Sequence, residues 1–343
     1  MQIRSVGIDL GKTTFHLVAL GDNGKVLLKK KFTQKQLITF TANLQTSLIG
    51  MEACSGAHFL GRALRAQGHD VKLIPAQFVK PFVKSNKNDF LDAEAIAEAV
   101  DRQNMRFVPI KTDDQLDLQA LHRVRDRLII RRTSVINQIR AFLLERGMVF
   151  AKSPIRLREA IPEVLENANE NLTPRMRNLV AMLWSEWKDL ELQIAEMNDE
   201  VERIASSDAA CIRLRQIPGI GPLVATAIVA AIGNGSAFQK GREFAAWMGL
   251  VPRQYSTGGK ARLYGISKRG NCYLRKILVH GARAVVLRSK RDRIAMGGWM
   301  TALEARVPKN VLIVAMANKL ARIAWAVLAT GQDYRAFPSA IAA

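Results

Sequence analysis

Cysteine and histidine are scarce in this chain. Its three cysteines, Cys54, Cys211 and Cys272, lie far apart and form neither a disulfide framework nor a zinc pattern. The five histidines show no metal-ligand spacing, so no transition-metal site is expected. A run of about 18 uninterrupted apolar residues is absent. So is an N-terminal basic segment followed by an apolar signal core. Both absences predict a soluble, cytoplasmic protein with no membrane partner. Acid is the remaining shortage: Asp+Glu number 30 against Lys+Arg 51, giving a formal net charge of +21. An excess of that size points to a polyanionic partner, and nucleic acid is the expected one.

The excess is concentrated. Arg253–Arg293 carries twelve Lys/Arg and a single acid, Asp292, which predicts a phosphate-binding surface there. Against that background four carboxylates stand out. Asp9 ends the apolar run Val6-Gly7-Ile8, and Glu52 follows Leu48-Ile49-Gly50-Met51. Asp89 and Asp92 are three apart in KNDFLDAEAIAEA, which puts them on one face of a helix. Converging carboxylate oxygens suit a hard divalent cation, Mg²⁺ with Mn²⁺ as a substitute. Asp22 reads as a turn residue, and Glu94 and Glu98 as helix-solvating acids.

At 343 residues the chain is long enough for several domains. Residues 1–110 read as α/β. Strands are expected at Ile3–Leu10, Thr14–Leu20, Lys25–Phe32, Ser47–Glu52 and Val71–Ile74, with helices at Leu37–Leu44, His58–Gln67 and Asp92–Arg102. Three opening strands followed by alternating strands and helices are the element order of ribonuclease H-like domains. Residues 111–207 read as a helical connector. Within it Met176, Val180, Leu183, Trp187, Leu190, Ile194, Met197, Val201 and Ile204 alternate four and three apart, a coiled-coil seam. The seam packs either within its own domain, against the arginine-rich helix around 113–147, or against a second subunit. Residues 208–335 read as a mostly helical C-terminal domain, with a loop at 252–265 and helices around 271–289 and 309–330.

Two motifs in that domain carry chemistry. Pro218-Gly219-Ile220-Gly221, followed by Leu223–Ile228, is the hairpin of a helix-hairpin-helix element. Gly219 and Gly221 either present backbone N–H groups to a phosphate or form a packing turn. The loop Arg253–Arg262 sets Ser256 before Gly258-Gly259, among Arg253, Lys260 and Arg262. A serine there either hydrogen-bonds phosphate or attacks it, and Thr257 is a neighbouring hydroxyl. Lys268, Arg269 and Arg275 extend the expected nucleic-acid surface.

Together, GIDLGK, MEACSG, KNDFLDAEAIA, IPGIGPLVATAI and FAAWMGLVPRQYSTGGKARLYGISKRGNCYLRKIL resemble the IS110 family of transposases, within it the IS1111 group. The resemblance covers nearly the whole chain. It implies a RuvC-like, ribonuclease H-like N-terminal domain whose Asp9, Glu52, Asp89 and Asp92 bind Mg²⁺, and a C-terminal transposase domain. The serine implied as the nucleophile, which forms a covalent phosphoserine, is Ser256. It further implies a guide RNA (a bridge or seeker RNA) pairing with double-stranded donor and target DNA. Homodimers assembling into a homotetramer, an active site shared between subunits, and action at the bacterial nucleoid follow from the same likeness.

Three other readings compete. In a RuvC-like endonuclease or junction resolvase the acids activate water and Ser256 only binds phosphate. In an actin-like ATPase or sugar kinase, GIDLGKTT is a phosphate loop. In a decayed element, the protein binds DNA without cutting it.

Overall fold

The computed structural model describes residues 2–84, 88–167 and 172–335. The chain forms two compact units, Met1–Asp113 and Asp114–Ala343. The connector and C-terminal domain expected separately at 111–207 and 208–335 therefore lie in one unit, apart from the first three residues.

The first unit is a five-stranded sheet with helical cover. Its strands are β1 (Ile3–Leu10), β2 (Phe15–Gly21), β3 (Val26–Phe32), β4 (Leu48–Glu52) and β5 (Asp70–Ile74), in the order β3-β2-β1-β4-β5. β1 to β3 are antiparallel, while β4 and β5 run parallel to β1. The element order inferred from the sequence holds. One face carries α1 (Gln34–Ala42) and α2 (Ala57–Ala66), whose Leu37, Leu60 and Leu64 pack on Ile8, Leu17, Ile49 and Val71. A short α3 (Ala76–Val79) follows β5.

The other face carries α4, Asp89–Val100, with Asn88 as N-cap accepting from the Phe90 amide. It starts three residues earlier than expected, which makes Asp89 its first residue. This helix is rich in alanine because it lies almost on the sheet. A Cβ added at Gly7 would sit 2.0 Å from the Ala93 carbonyl oxygen, and one at Gly50 would sit 2.8 Å from Val100 Cβ. Ser5 Oγ donates to the Ala97 carbonyl at 2.8 Å, and Arg4 pairs with Asp101. These contacts run α4 antiparallel to β1.

The second unit is helical apart from one hairpin. Its first part packs α5 (Asp113–Leu144), α6 (Pro154–Glu166) and α7 (Pro174–Ser207) around Ile139, Leu143, Leu157, Ile161, Val180 and Trp187. The seam residues of α7 are all buried or half-buried, and the helix lies antiparallel to the arginine-rich α5. Arg125 bonds Asn198 at 2.6 Å, Arg131 bonds Glu186 at 2.7 Å, and Arg132 reaches Glu191 at 3.3 Å. Val180, Trp187 and Leu190 of the seam share a core with Val135, Ile136 and Ile139 of α5.

A larger core gathers α8 (Ala209–Arg215), α9 (Pro222–Ile232), α10 (Gly241–Trp247), α11 (Cys272–Arg288), α12 (Gly297–Glu304) and α13 (Lys309–Thr330). His122 of α5 ties the two parts together, its ring nitrogens 3.1 Å from Thr226 Oγ1 and 3.0 Å from the Tyr273 hydroxyl. By length and composition α13 alone, among the described residues, could cross a membrane. Its Leu312, Met316, Leu320, Ala324 and Leu328 are buried in this core, so its apolar character is that of a core helix.

Candidate active site and nucleic-acid interface

The sheet and α4 bring the four predicted acids to one end of the first unit. Gly7 and Asp9 are two apart on β1, and Gly50 and Glu52 two apart on β4, so each acid shares a face with its glycine. That face is the one α4 covers. Gly7 pairs with Gly50 and Ile8 with Met51, and continuing the register by one step sets Asp9 beside Glu52. Asp89 and Asp92, in the first turn of the antiparallel α4, lie over the same strand ends. A negative first turn is also favoured by the helix dipole.

The electrostatics report this convergence. The Asp9 carboxyl is pushed above its ordinary value, first by burial, then by Asp92 and Asp89; His16 and the Leu10 amide oppose the shift. The Cys54 thiol is pushed up by burial, then by Glu52 and Asp9. Asp9 thus senses Asp92 and Asp89, and it shares Cys54 as a neighbour with Glu52. Their donor chemistry fits a hard divalent cation, which would relieve the crowding of negative charge. Among the described residues no three His, Cys, Asp or Glu side chains are assembled closely enough to hold an ion as they stand.

One neighbour was missed in the sequence. His16 of β2 pairs with Asp9 across the hairpin. Its Nδ1 lies 3.6 Å from Asp89 Oδ2, is buried, and has no hydrogen-bond partner among the described residues. The ring meets Phe90 edge-on at 4.7 Å. Only the Asp9–His16 register could have revealed it.

Ser256 sits in the second unit, on a β-hairpin where a loop was expected. β6 (Pro252–Thr257) and β7 (Lys260–Ile266) pair antiparallel, with Ser256 opposite Ala261. Gly258 and Gly259 form the two-residue turn with φ of +55° and +75°, the requirement of a type I′ connection. Nearly every residue of the hairpin is exposed.

Strand alternation divides its side chains. Gln254, Ser256, Ala261 and Leu263 share one face; Tyr255, Thr257, Lys260, Arg262 and Tyr264 share the other. The Arg253 guanidinium joins that second face, 5.2 Å from the Tyr264 ring centroid. This corrects the picture of a serine ringed by Arg253, Lys260 and Arg262, which face away from it. It also separates Ser256 from Thr257. The Ser256 hydroxyl accepts from Gln254 Nε2 at 2.7 Å.

The remaining predicted contacts divide in the same way. Gly219 has φ +89°, and a Cβ there would meet Val285 and the Gly281 carbonyl of α11 at 2.5 and 2.9 Å. It is a packing glycine, whereas Gly221, before α9, has open space around it. Lys268 and Arg269 are exposed. The Arg275 guanidinium turns inward, donating to the Met248 and Arg269 carbonyls at 2.9 and 2.8 Å and fastening the loop before α11.

Comparison with known proteins matches this architecture. Residues 211–296 match the model described as "Transposase IS116/IS110/IS902 family". Residues 6–147 match a DEDD transposase model of IS110 type. A "Transposase for insertion sequence element IS1328" from Yersinia enterocolitica is 44% identical over 95% of this chain and 97% of its own length. A "Probable family 20 transposase" of Pseudomonas aeruginosa is 42% identical over 98% of this chain and 99% of its own. A "Transposase for insertion sequence element IS1111A" of Coxiella burnetii is 41% identical over 97% of this chain and 92% of its own.

Proposed function

Because this chain belongs to the IS116/IS110/IS902 family of insertion-sequence transposases, enzymes whose substrate is DNA, we propose that it cuts and rejoins DNA through a covalent phosphoserine, with Mg²⁺ held by Asp9, Glu52, Asp89 and Asp92. The observation that carries this reading is the gathering of the four acids where β1 and β4 end under the first turn of α4. A bound cation there would neutralise phosphate charge. In the second unit the Ser256 oxygen would bond to phosphorus as the sugar oxygen of one strand leaves and takes up a proton. The phosphodiester energy is then retained in the serine ester, so strands can be rejoined without an external energy source. Arg253, Lys260, Arg262, Lys268 and Arg269 hold backbone phosphates, leaving sequence choice to base pairing with a guide RNA. Dimers assembling to tetramers complete the proposal.

One observation favours a second reading. The partner of Ser256 is an amide donor, Gln254, and a hydroxyl awaiting attack needs a base. In the alternative, the acids activate water and the enzyme is a metal-dependent endonuclease or junction resolvase. Incubating the Ser256→Ala chain with element-end DNA and Mg²⁺ separates them. The covalent protein–DNA adduct of the parent chain should vanish together with strand exchange. Persistent hydrolytic cleavage at parental rate would sink the serine mechanism. Sequencing RNA co-purified with the chain tests guidance, and DNA joining without any RNA would refute it.

A further inference from the structure

A groove of about 1220 Å³ opens in the second unit at the foot of the serine hairpin, above the range of about 300–1,000 Å³ usual for small-molecule sites. Lys240, Arg242, Lys319 and Arg322 line it with no carboxylate among the lining residues. Among the described residues none of the four is in an ion pair. Lys319 and Arg322 lie three apart on α13, a repulsive spacing for like charges on a helix. Burial, then Arg322, holds the Lys319 ammonium below its ordinary value. Its Nζ lies 4.4 Å from the Trp299 ring centroid, taking an aromatic face where a carboxylate would be usual.

Tyr264 forms the wall shared with the hairpin. Trp325 lies in the floor, anchored by its Nε1 donating to the Gly235 carbonyl at 3.1 Å. Four cations lining one groove without an acid suit an anionic ligand. The exposed Tyr264 ring and the half-buried Trp299 ring beside them suit flat bases, and a base offers its face only when unpaired. A purely phosphate-binding surface would need no rings. Tyr264 is three residues along β7 from Ala261, the partner of Ser256, and on the other face of the ribbon, about 10 Å away at the rise of a strand. That is the length of about three stacked nucleotides.

We propose that this groove holds an unpaired segment of the DNA strand that Ser256 attacks, its bases stacked on Trp299 and Tyr264 and its phosphates on Lys240, Arg242, Lys319 and Arg322. The choice of DNA rests on the reading given above, that this unit works on the DNA strand. The groove is therefore a separate strand-holding site, distinct from the serine and from the acids.

Fluorescence anisotropy of the full chain with a labelled thymidine 12-mer, free and paired with its complement, tests this at fixed salt. Trp299→Ala and Arg322→Gln should each weaken binding of the free strand about tenfold. Duplex binding should not change in either variant, and the melting temperature should not change in Arg322→Gln, whose side chain is exposed. Ultraviolet cross-linking of the 12-mer should give adducts on peptides containing Tyr264 or Trp299. Ser256→Ala should keep free-strand binding at parental strength whether or not it abolishes cleavage, which separates the groove from the nucleophile. The proposal is overturned by unchanged free-strand affinity in both variants, or by adducts confined to other peptides. It is likewise overturned by a tenfold preference for a uridine 12-mer, by loss of strand binding in Ser256→Ala, or by a change in sedimentation of the groove variants that marks a second copy as the occupant.

Discussion

The acids of the first unit and the serine of the second are held in opposite ways. Asp9 and Glu52 stand at the C-terminal ends of strands pinned between two helical layers, with α4 so close that Gly7 and Gly50 leave no room for a methyl group. Ser256 stands on a two-stranded ribbon with both faces exposed, held by its own ladder and a glycine turn. A lone hairpin is marginal in water. The contrast matches the demands of the tasks proposed for them. Carboxylates that repel one another must be fixed before a cation arrives, whereas a nucleophile for a large polymer can be ordered by the polymer itself.

The largest effect expected on this contrast is catalytic. Asp9→Asn removes one charge from the fixed site and should lower DNA cleavage about 10³-fold or more, read as single-turnover strand nicking. Near-parental nicking would show that the acids are not the metal site. The same class of change in two places then tests rigidity. Gly7→Val drives side-chain atoms into the Ala93 carbonyl and should destabilise the first unit by about 3 kcal/mol, seen in thermal unfolding. Gly259→Val strains a turn at positive φ and should slow cleavage several-fold while leaving the melting curve in place. Equal loss of stability in both would erase the distinction.

Acidification offers a finer comparison. His122, buried in the second unit, has its pKa lowered to about 4 by burial, with Arg125 adding to the shift. The folded state therefore holds it neutral. Its stabilisation is complete above the ordinary histidine value and is lost as pH falls from about 6.5 toward 4, by about 2 kcal/mol between pH 7 and 5. Replacing it with Gln should flatten that dependence in pH-resolved melts. The smallest effect runs the other way. Asp9, raised in the fold, disfavours the folded state once it ionises, so metal-free Asp9→Asn should melt slightly higher than the parent at neutral pH. That gain should disappear below about pH 3.8, where both states are protonated. An unchanged melt at neutral pH would count against the crowding of charge around Asp9.

The acids were legible in the sequence because each closes an apolar run or opens a helix, and those are local patterns. β1 was delimited to the residue and α13 (Lys309–Thr330) was placed around its observed bounds, since both are strongly apolar segments. The ribbon was not legible. Its strands alternate polar with polar, because neither face is buried, so no period-two contrast marks them. Arg275 was counted with the surface cations because charge in a sequence carries no direction; its guanidinium in fact closes a loop. The basic groove escaped notice for another reason. Lys240, Tyr264, Trp299 and Lys319 come from four separated segments that only tertiary packing unites.

The missing methyl groups beneath α4 also leave a trace that can be searched for. Asp9 and Glu52 each stand two places after a glycine, and Asp92 is followed by alanines at 93 and 97, in step with the strand they cover. Gly-x-acid, twice, then acid-Ala-x-x-x-Ala is a grammar of close approach, written in residues that take no part in chemistry. A library built to vary this enzyme should leave those letters alone, because their contribution is the space they do not fill.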